Sequence, residues 1–255
     1  PNSSQGFQFH EFGKGNGRIG ETRMSWLASF FSNQETRPPG LSPLTFLFFF
    51  AVLFTLTYAT LRWYQNKAYQ DFFKGLQLLQ IILLYGWYIT MAFSLKESLP
   101  FYHCRMSVMA VLFLPDKHPW KRYFIMIGLI GSILSFAYPL FDHYPIGHVT
   151  IFSYVVGHFT LFVNCLIYLL RFHGERMEMV DLVTKTVLLH FFLLAVNTVT
   201  GGNYGFLRVT PLIGNLSAPI RFILVTLVMV FLLSSVDWLF ATKIEALRDY
   251  ASQEL

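Results

Sequence analysis

The chain has 255 residues, of which 54% are hydrophobic and only 13% charged, with a mean hydropathy of +0.48. A soluble domain carries about 25% charged residues, so this composition excludes an ordinary water-soluble globule and places the chain among membrane proteins. The net charge of +5 forms no basic stripe with interleaved aromatics, which argues against a nucleic-acid partner and leaves the charge as a topology signal.

Residues 1–42 read as a polar N-terminal tail, partly disordered or foreign to the native chain. The stretch PNSSQGFQFHEFGKGNGRIGETR is Gly-rich and aperiodic, and the first methionine is Met24. WLASFF (26–31) suits a short piece lying at the membrane interface, and RPPG (37–40) breaks the chain before the first apolar run. Seven apolar segments then approach the ~20 residues needed to cross a bilayer: 43–64, 75–95, 98–114, 122–141, 148–170, 180–200 and 219–240. The third is short, with Pro100 expected in its first helical turn and Pro115 after its last. Backbone groups in lipid must be satisfied internally, so each run is expected to be helical. Residues 241–255 form a C-terminal tail.

Orientation follows from the basic residues. Arg62, Lys67, Lys74, Lys117, Lys121, Arg122, Arg171, Arg176, Lys185, Lys243 and Arg248 fall on one side of a seven-span chain. Only Lys96 and Arg208, with four residues of the tail, fall on the other. The expected fold is an all-α, polytopic bundle of seven transmembrane helices over 43–240, with the N-terminus outside and the C-terminus cytoplasmic.

Polar residues gather toward the outer ends of these spans. Cys104 and Arg105 stand about one turn inside the third, and His148 opens the fifth with His158 ~15 Å deeper. Asn197 lies near the outer end of the sixth, ahead of the turn GGNYGF, and Arg221 opens the seventh. Ionisable residues at such depth ordinarily face a bundle interior or cavity. Arg105 and Arg221 have no evident acidic partners, so a phosphate or carboxylate headgroup is the expected guest. Asn203 and Tyr204 are expected to present an amide and a phenol at the cavity mouth. Cys165, ~25 Å below the outer end of its span, is too far to pair with Cys104, leaving Cys104 a free thiol beside cations and imidazoles that favour reactivity. His103 sits on a different helix face from Cys104, and His190 shares a face with Asn197. No HxxxH or HxxE spacing favours a metal, and no cofactor is expected. A histidine–metal hydrolase is therefore the weakest reading.

Three features together carry a resemblance: Leu99 and Pro100 leading to Cys104; His148 and His158 ten residues apart; and Asn197 followed by Gly201 to Tyr204 and Phe206. On these the chain resembles the YwaF-like bacterial integral membrane proteins, which group with the transmembrane-protein-164 family. One departure is that Tyr102 stands where bacterial relatives often place a histidine. The resemblance implies an integral protein of a bacterial cell membrane that moves a fatty acyl chain between phospholipid and lysophospholipid through a cysteine. It implies that Cys104 is the nucleophile, that His158 or His148 is the base, that Arg105 and Arg221 bind phosphate, and that Asn197, Asn203 and Tyr204 orient the lipid. Membrane phospholipids are the expected partners. The alternative is a non-catalytic membrane protein that binds or transports an anionic lipid or cell-envelope precursor.

Overall fold

The computed structural model describes residues 26–173, 176–210 and 216–242. The tail before residue 26, including His10, and the C-terminal residues beyond 242, including Lys243 and Arg248, lie outside the described residues. Among the described residues, a short helical stretch at 26–30 is followed by seven longer α-helices: α1 (Pro43–Trp63), α2 (Lys67–Met91), α3 (His103–Phe113), α4 (Lys121–Ala137), α5 (Val149–Arg171), α6 (Met179–Thr200) and α7 (Ala218–Thr242), with a 3-10 turn at Tyr204–Phe206 between the last two. Among the described residues there is no strand. The end of the bundle that carries residues 26–42 is here the near face, and the opposite end the far face.

Local chemistry sets most boundaries. Ser42 and Thr45 form a capping box with Pro43 at the first helical position of α1. Asn66 caps α2, and Lys67 pairs with Asp71 one turn on. The helix therefore begins eight residues before the apolar run that marked it in the sequence, because Gln70, Asp71 and Lys74 are helical without being apolar. Gly201, at φ +73°, ends α6.

Five helices, α1, α2, α5, α6 and α7, are long and apolar enough to cross a membrane. The third and fourth segments are shorter than expected. Helix α3 has 11 residues and rises ~16 Å, and α4 has 17. Pro100 is not in the first turn of α3; residues 95–102 run as turns and the helix starts at His103. Its other end is closed by Lys121, whose Nζ donates to the carbonyls of Ala110 (2.6 Å), Val111 (3.0 Å) and Leu114 (2.8 Å). Val111 and Leu114 are among the carbonyls that the end of a helix leaves without intrahelical partners, while Ala110 also accepts from the Leu114 amide (3.2 Å).

Helices α4 and α5 form the centre. Eleven of the 17 residues of α4 are buried and 16 of the 23 of α5, against three in α1 and four in α7. The outer helices turn Phe48, Phe54, Leu227 and Phe231 outward, as lipid-facing surfaces do. Gly128 and Gly131 make α4 thin enough for its neighbours. A β-carbon on Gly128 would lie 2.7 Å from Cys165 Sγ and 2.9 Å from Ser107 Cβ, and one on Gly131 2.7 Å from Cys104 Sγ. Small residues allow this close helix approach in membranes.

Buried polar side chains are paired across helices. Gln77 donates to Gln80 (2.9 Å), Gln80 donates to Ser153, and Thr160 donates to Gln77 (2.9 Å), which joins α2 to α5. On the far face Arg122 Nε donates to Asp237 Oδ1 (2.8 Å) and its Nη1 to the Phe172 carbonyl (3.1 Å), while the Met177 amide donates to Asp237 Oδ2 (3.0 Å). The Arg122 and Asp237 side chains are 8% and 3% exposed, so removing one partner strands a buried charge. Asp237→Ala should lower stability by about 3–5 kcal/mol, and the double change Arg122→Met with Asp237→Leu should recover most of that loss. Thermal unfolding in detergent checks this, and equal losses in the single and double variants would contradict it.

Candidate functional site

Residues 92–102 join α2 to α3 as irregular backbone at the near face. Arg105 fastens that segment. Its Nη1 donates to the carbonyls of Glu97 and Leu99 (3.3 Å to Leu99) and its Nη2 to the Tyr88 hydroxyl (2.7 Å). The guanidinium also lies 5.1 Å from the Tyr88 ring centre and 5.0 Å from that of Tyr102. The charge of Arg105 also reaches the Asp142 carboxyl in the α4–α5 connection, lowering it against the raising effect of burial, without an ion pair between the two. Among the described residues neither Arg105 nor Arg221 forms an ion pair with an acid, but neither guanidinium is free, because backbone carbonyls engage both. Arg221 donates to the carbonyls of Arg208 and Leu216 (2.6 Å to Leu216). Both cations bind the chain's own loops.

Asn197, Asn203 and Tyr204 serve the same near-face architecture. Asn197 accepts from the Tyr204 amide (2.7 Å) and donates to its carbonyl (2.8 Å). The Tyr204 hydroxyl donates to the Leu95 carbonyl (2.8 Å) and accepts from the Leu99 amide (3.3 Å). Tyr204 is fully buried rather than standing at a cavity mouth. Asn203 holds the 203–209 loop by accepting from the amides of Arg208 and Val209 (3.0 Å each). The two near-face loops are locked together through one phenol.

Cys104 lies under this plug at the second position of α3, whose first turn has no side-chain cap. Its thiol rests against Gly131 of α4, with the Ser135 side chain beside it. The expected depth is corrected here. Cys165 rests against Gly128, one turn along the same helix, so the two thiols differ in depth by about 5 Å rather than most of a span. Both remain free.

His158 borders the same stretch of α4. Its ring lies 4.5 Å from Tyr154 and 6.1 Å from Phe136, and the Tyr154 hydroxyl donates to the Ser135 carbonyl (2.7 Å). His158 Nδ1 is 2.7 Å from the Tyr154 carbonyl. A carbonyl only accepts, so Nδ1 carries the proton and the neutral ring keeps its lone pair on Nε2. The structure therefore gathers Cys104, Ser135, Tyr154 and His158 about residues 131–136 of α4.

His148 does not join them. It caps α5, its Nδ1 accepting from the Thr150 amide (3.2 Å), so its Nε2 donates to the Ser32 carbonyl (2.7 Å). The ring stacks on Tyr144 at 4.0 Å and meets Trp87 edge-on at 5.0 Å. Both nitrogens are engaged, which corrects its candidacy as the base. It fastens residues 30–32, whose carbonyls at Phe31 and Ser32 also take the Trp87 indole (3.1 Å each).

Two histidines that the sequence did not bring together meet on the other face of α3. His103 and His190 have ring centres 5.8 Å apart, and the Nε2 of each is buried without a partner. No spacing rule links residues 87 positions apart on different helices. Among the described residues no three His, Cys, Asp or Glu side chains converge as metal ligands. A cavity of about 310 Å³ lies at the far face, lined by residues including Arg176, Glu178, Ser234 and Asp237, and contains none of the candidate residues.

His148 stands one residue before α5, outside the membrane-crossing helix. Burial holds its imidazole below the ordinary range, against the raising effect of the bond to Ser32. The undocked chain therefore takes up the proton first. Docking of residues 30–32 is complete above the ordinary histidine pKa of about 6.5 and weakens as pH falls below it. Trp87 fluorescence should shift red on acidification, and His148→Gln should abolish the shift; an unchanged spectrum in the wild type would contradict the assignment.

No curated protein and no solved structure matches this sequence. A protein-family model, described as the TMEM164 family, matches residues 30–237, which takes in all seven helices up to the Asp237 ion pair. With that match over most of its length and five helices fit to cross a bilayer, the chain is an integral membrane protein and belongs to the TMEM164 family.

Proposed function

We propose that this chain is a membrane acyltransferase of the bacterial YwaF-like kind, moving a fatty acyl chain between phospholipid and lysophospholipid, or a related lipid acceptor, through a thioester on Cys104. The observation that carries the reading is a free thiol against Gly131 and Ser135, on the stretch of α4 that His158, whose tautomer leaves Nε2 as a base, also borders.

In the first half-reaction His158 Nε2 accepts the thiol proton. Sulfur bonds to the ester carbonyl carbon, whose electron pair moves onto oxygen. The uncapped amides of the first turn of α3 supply donors for that oxyanion. On collapse the carbon–oxygen bond to the lysophospholipid breaks, and the leaving oxygen takes the proton from His158. In the second half-reaction the acceptor hydroxyl gives its proton to His158 and attacks the thioester carbonyl. The carbon–sulfur bond breaks and the thiolate recovers the proton. A positioned base of this type contributes about 10²–10⁴-fold. Non-catalytic binding of an anionic lipid is less favoured, because Arg105 and Arg221 already hold loop carbonyls.

The same reading includes seven traverses with the N-terminus outside and the C-terminus cytoplasmic. The far-face ends of α3 and α4 meet at Lys121, so the pair leaves and returns to the near face. Parity is then the same whether five or seven helices are counted as spans. Green fluorescent protein fused after residue 255 should fluoresce and alkaline phosphatase there should be inactive; the reverse pattern would invert the topology.

The catalytic reading is tested by intact-protein mass spectrometry after incubation with mixed phospholipids. Wild type should acquire an acyl adduct that hydroxylamine removes, Cys104→Ser should acquire none, and His158→Gln should form it at least about 10²-fold more slowly. A wild type that stays unmodified while folded and lipid-bound would overturn the reading in favour of lipid binding alone.

A further inference from the structure

The pair His103 and His190 plays no part in the chemistry proposed for Cys104. Residues 103 and 104 are adjacent, yet their side chains diverge by about 100° around α3. The thiol faces Gly131 of α4, and the imidazole faces α6 and the turn after it. There a β-carbon on Gly205, at φ +70°, would lie 2.8 Å from Leu193 and 3.3 Å from the His103 ring. The close approach of that glycine, held by the Asn197 clamp on Tyr204, closes the junction over the two rings.

Hydrogen bonding fixes the state of His190. The single hydroxyl proton of Thr226 goes to the Phe222 carbonyl (2.7 Å), so the 2.8 Å contact between Thr226 Oγ1 and His190 Nδ1 is made by a proton on Nδ1. His190 Nε2 is therefore a bare lone pair on a side chain with no exposed surface. His103 Nε2 is buried and unpartnered as well. A buried polar atom without a partner costs about 1–3 kcal/mol, and two in one junction call for a guest that both can bind.

We propose that His103 and His190 form a two-imidazole site for a soft monovalent metal ion, copper(I). Two imidazoles bonded through nitrogen at about 2.0 Å hold their ring centres up to about 6.3 Å apart when opposite one another, and the observed separation of 5.8 Å fits a bent pair. Donor count selects the ion. Zinc seeks four ligands and brings two charges; this junction offers two neutral nitrogens, and a buried charge is costly unless compensated. Copper(I) is satisfied by two nitrogens and brings one charge. Thr226 supplies the outer bond that orients a metal-binding imidazole. This departs from the expectation of no metal drawn from sequence spacing, which cannot register ligands on separate helices.

The test uses the full untagged chain in detergent, loaded with copper(I) under anaerobic reducing conditions against a bicinchoninate competitor, desalted and assayed for metal. Wild type should retain stoichiometric copper. His103→Ala and His190→Gln should lose it, and Thr226→Val should bind about tenfold more weakly. Cys104→Ser should retain copper fully, which separates this site from the proposed thioester chemistry. X-ray absorption of the wild type, which needs no variant to fold, should show two nitrogen neighbours at about 2.0 Å. Absence of copper from the wild type, retention that survives both histidine changes, retention that requires Cys104, or zinc held in preference to copper would each overturn the proposal.

Discussion

The structure depends on one helix being too short for the membrane it sits in. Helix α3 rises ~16 Å where a hydrocarbon core is ~30 Å thick, so a crossing at this point would have to include the irregular segment before it. Non-helical backbone survives there only when protein groups satisfy it. Lys121 closes the far end with three hydrogen bonds to carbonyls. Arg105 and Tyr204 hold the segment before the near end. Asn197 holds Tyr204, and Arg221 holds the loop that follows. These residues form one argument in hydrogen bonds: a half-helix needs a plug, and the plug needs cations and amides aimed at carbonyls.

Around that half-helix the bundle is fixed by polar contacts rather than by apolar burial, since lipid tails are as apolar as leucine. The Gln77–Gln80–Ser153–Thr160 chain sets the register of α2 on α5, and Gly157 lets α5 approach the Gln80 amide. The Arg122–Asp237 pair joins α4 to α7 at the far face. Gly128 and Gly131 give α4 the narrow profile that admits α3 on one side and α5 on another. Rigid support of this kind is what a reacting thiol and its base require, since misplacement by an ångström is enough to suppress chemistry.

Four histidines show how partners, not residue type, assign roles. His148 accepts at one nitrogen and donates at the other, so it is a fastener. His158 donates from Nδ1 to a carbonyl and keeps a lone pair on Nε2. His190 does the same through Thr226, and its free nitrogen meets the ring of His103. The ten-residue spacing that made His148 and His158 look equivalent in the sequence separates a cap at the mouth of α5 from a base two turns and more inside it.

Much was legible in the residues alone. Long apolar runs located every helix but α2 to within about five residues, because a bilayer leaves backbone no other regular option without a barrel. The gathering of Cys104, Arg105, Asn197, Tyr204 and Arg221 toward one end was legible too, because depth is counted along a helix at a constant rise. What the sequence could not supply is direction and partnership. The early start of α2 was hidden because polar residues can be helical. The arginines looked unpartnered because they bind the backbone carbonyls of Glu97, Leu99, Arg208 and Leu216, which carry no side-chain signature. Cys104 and Cys165 rest against glycines one turn apart on α4, a proximity that counting from a span end misjudged. Asp237, a lone acid in the apolar run 219–240, was a signal for a buried pair that only the packing of α7 on α4 could complete. The pairing of His103 with His190 was decided by helix rotation, and rotation is set by contacts between helices, which only the tertiary structure contains.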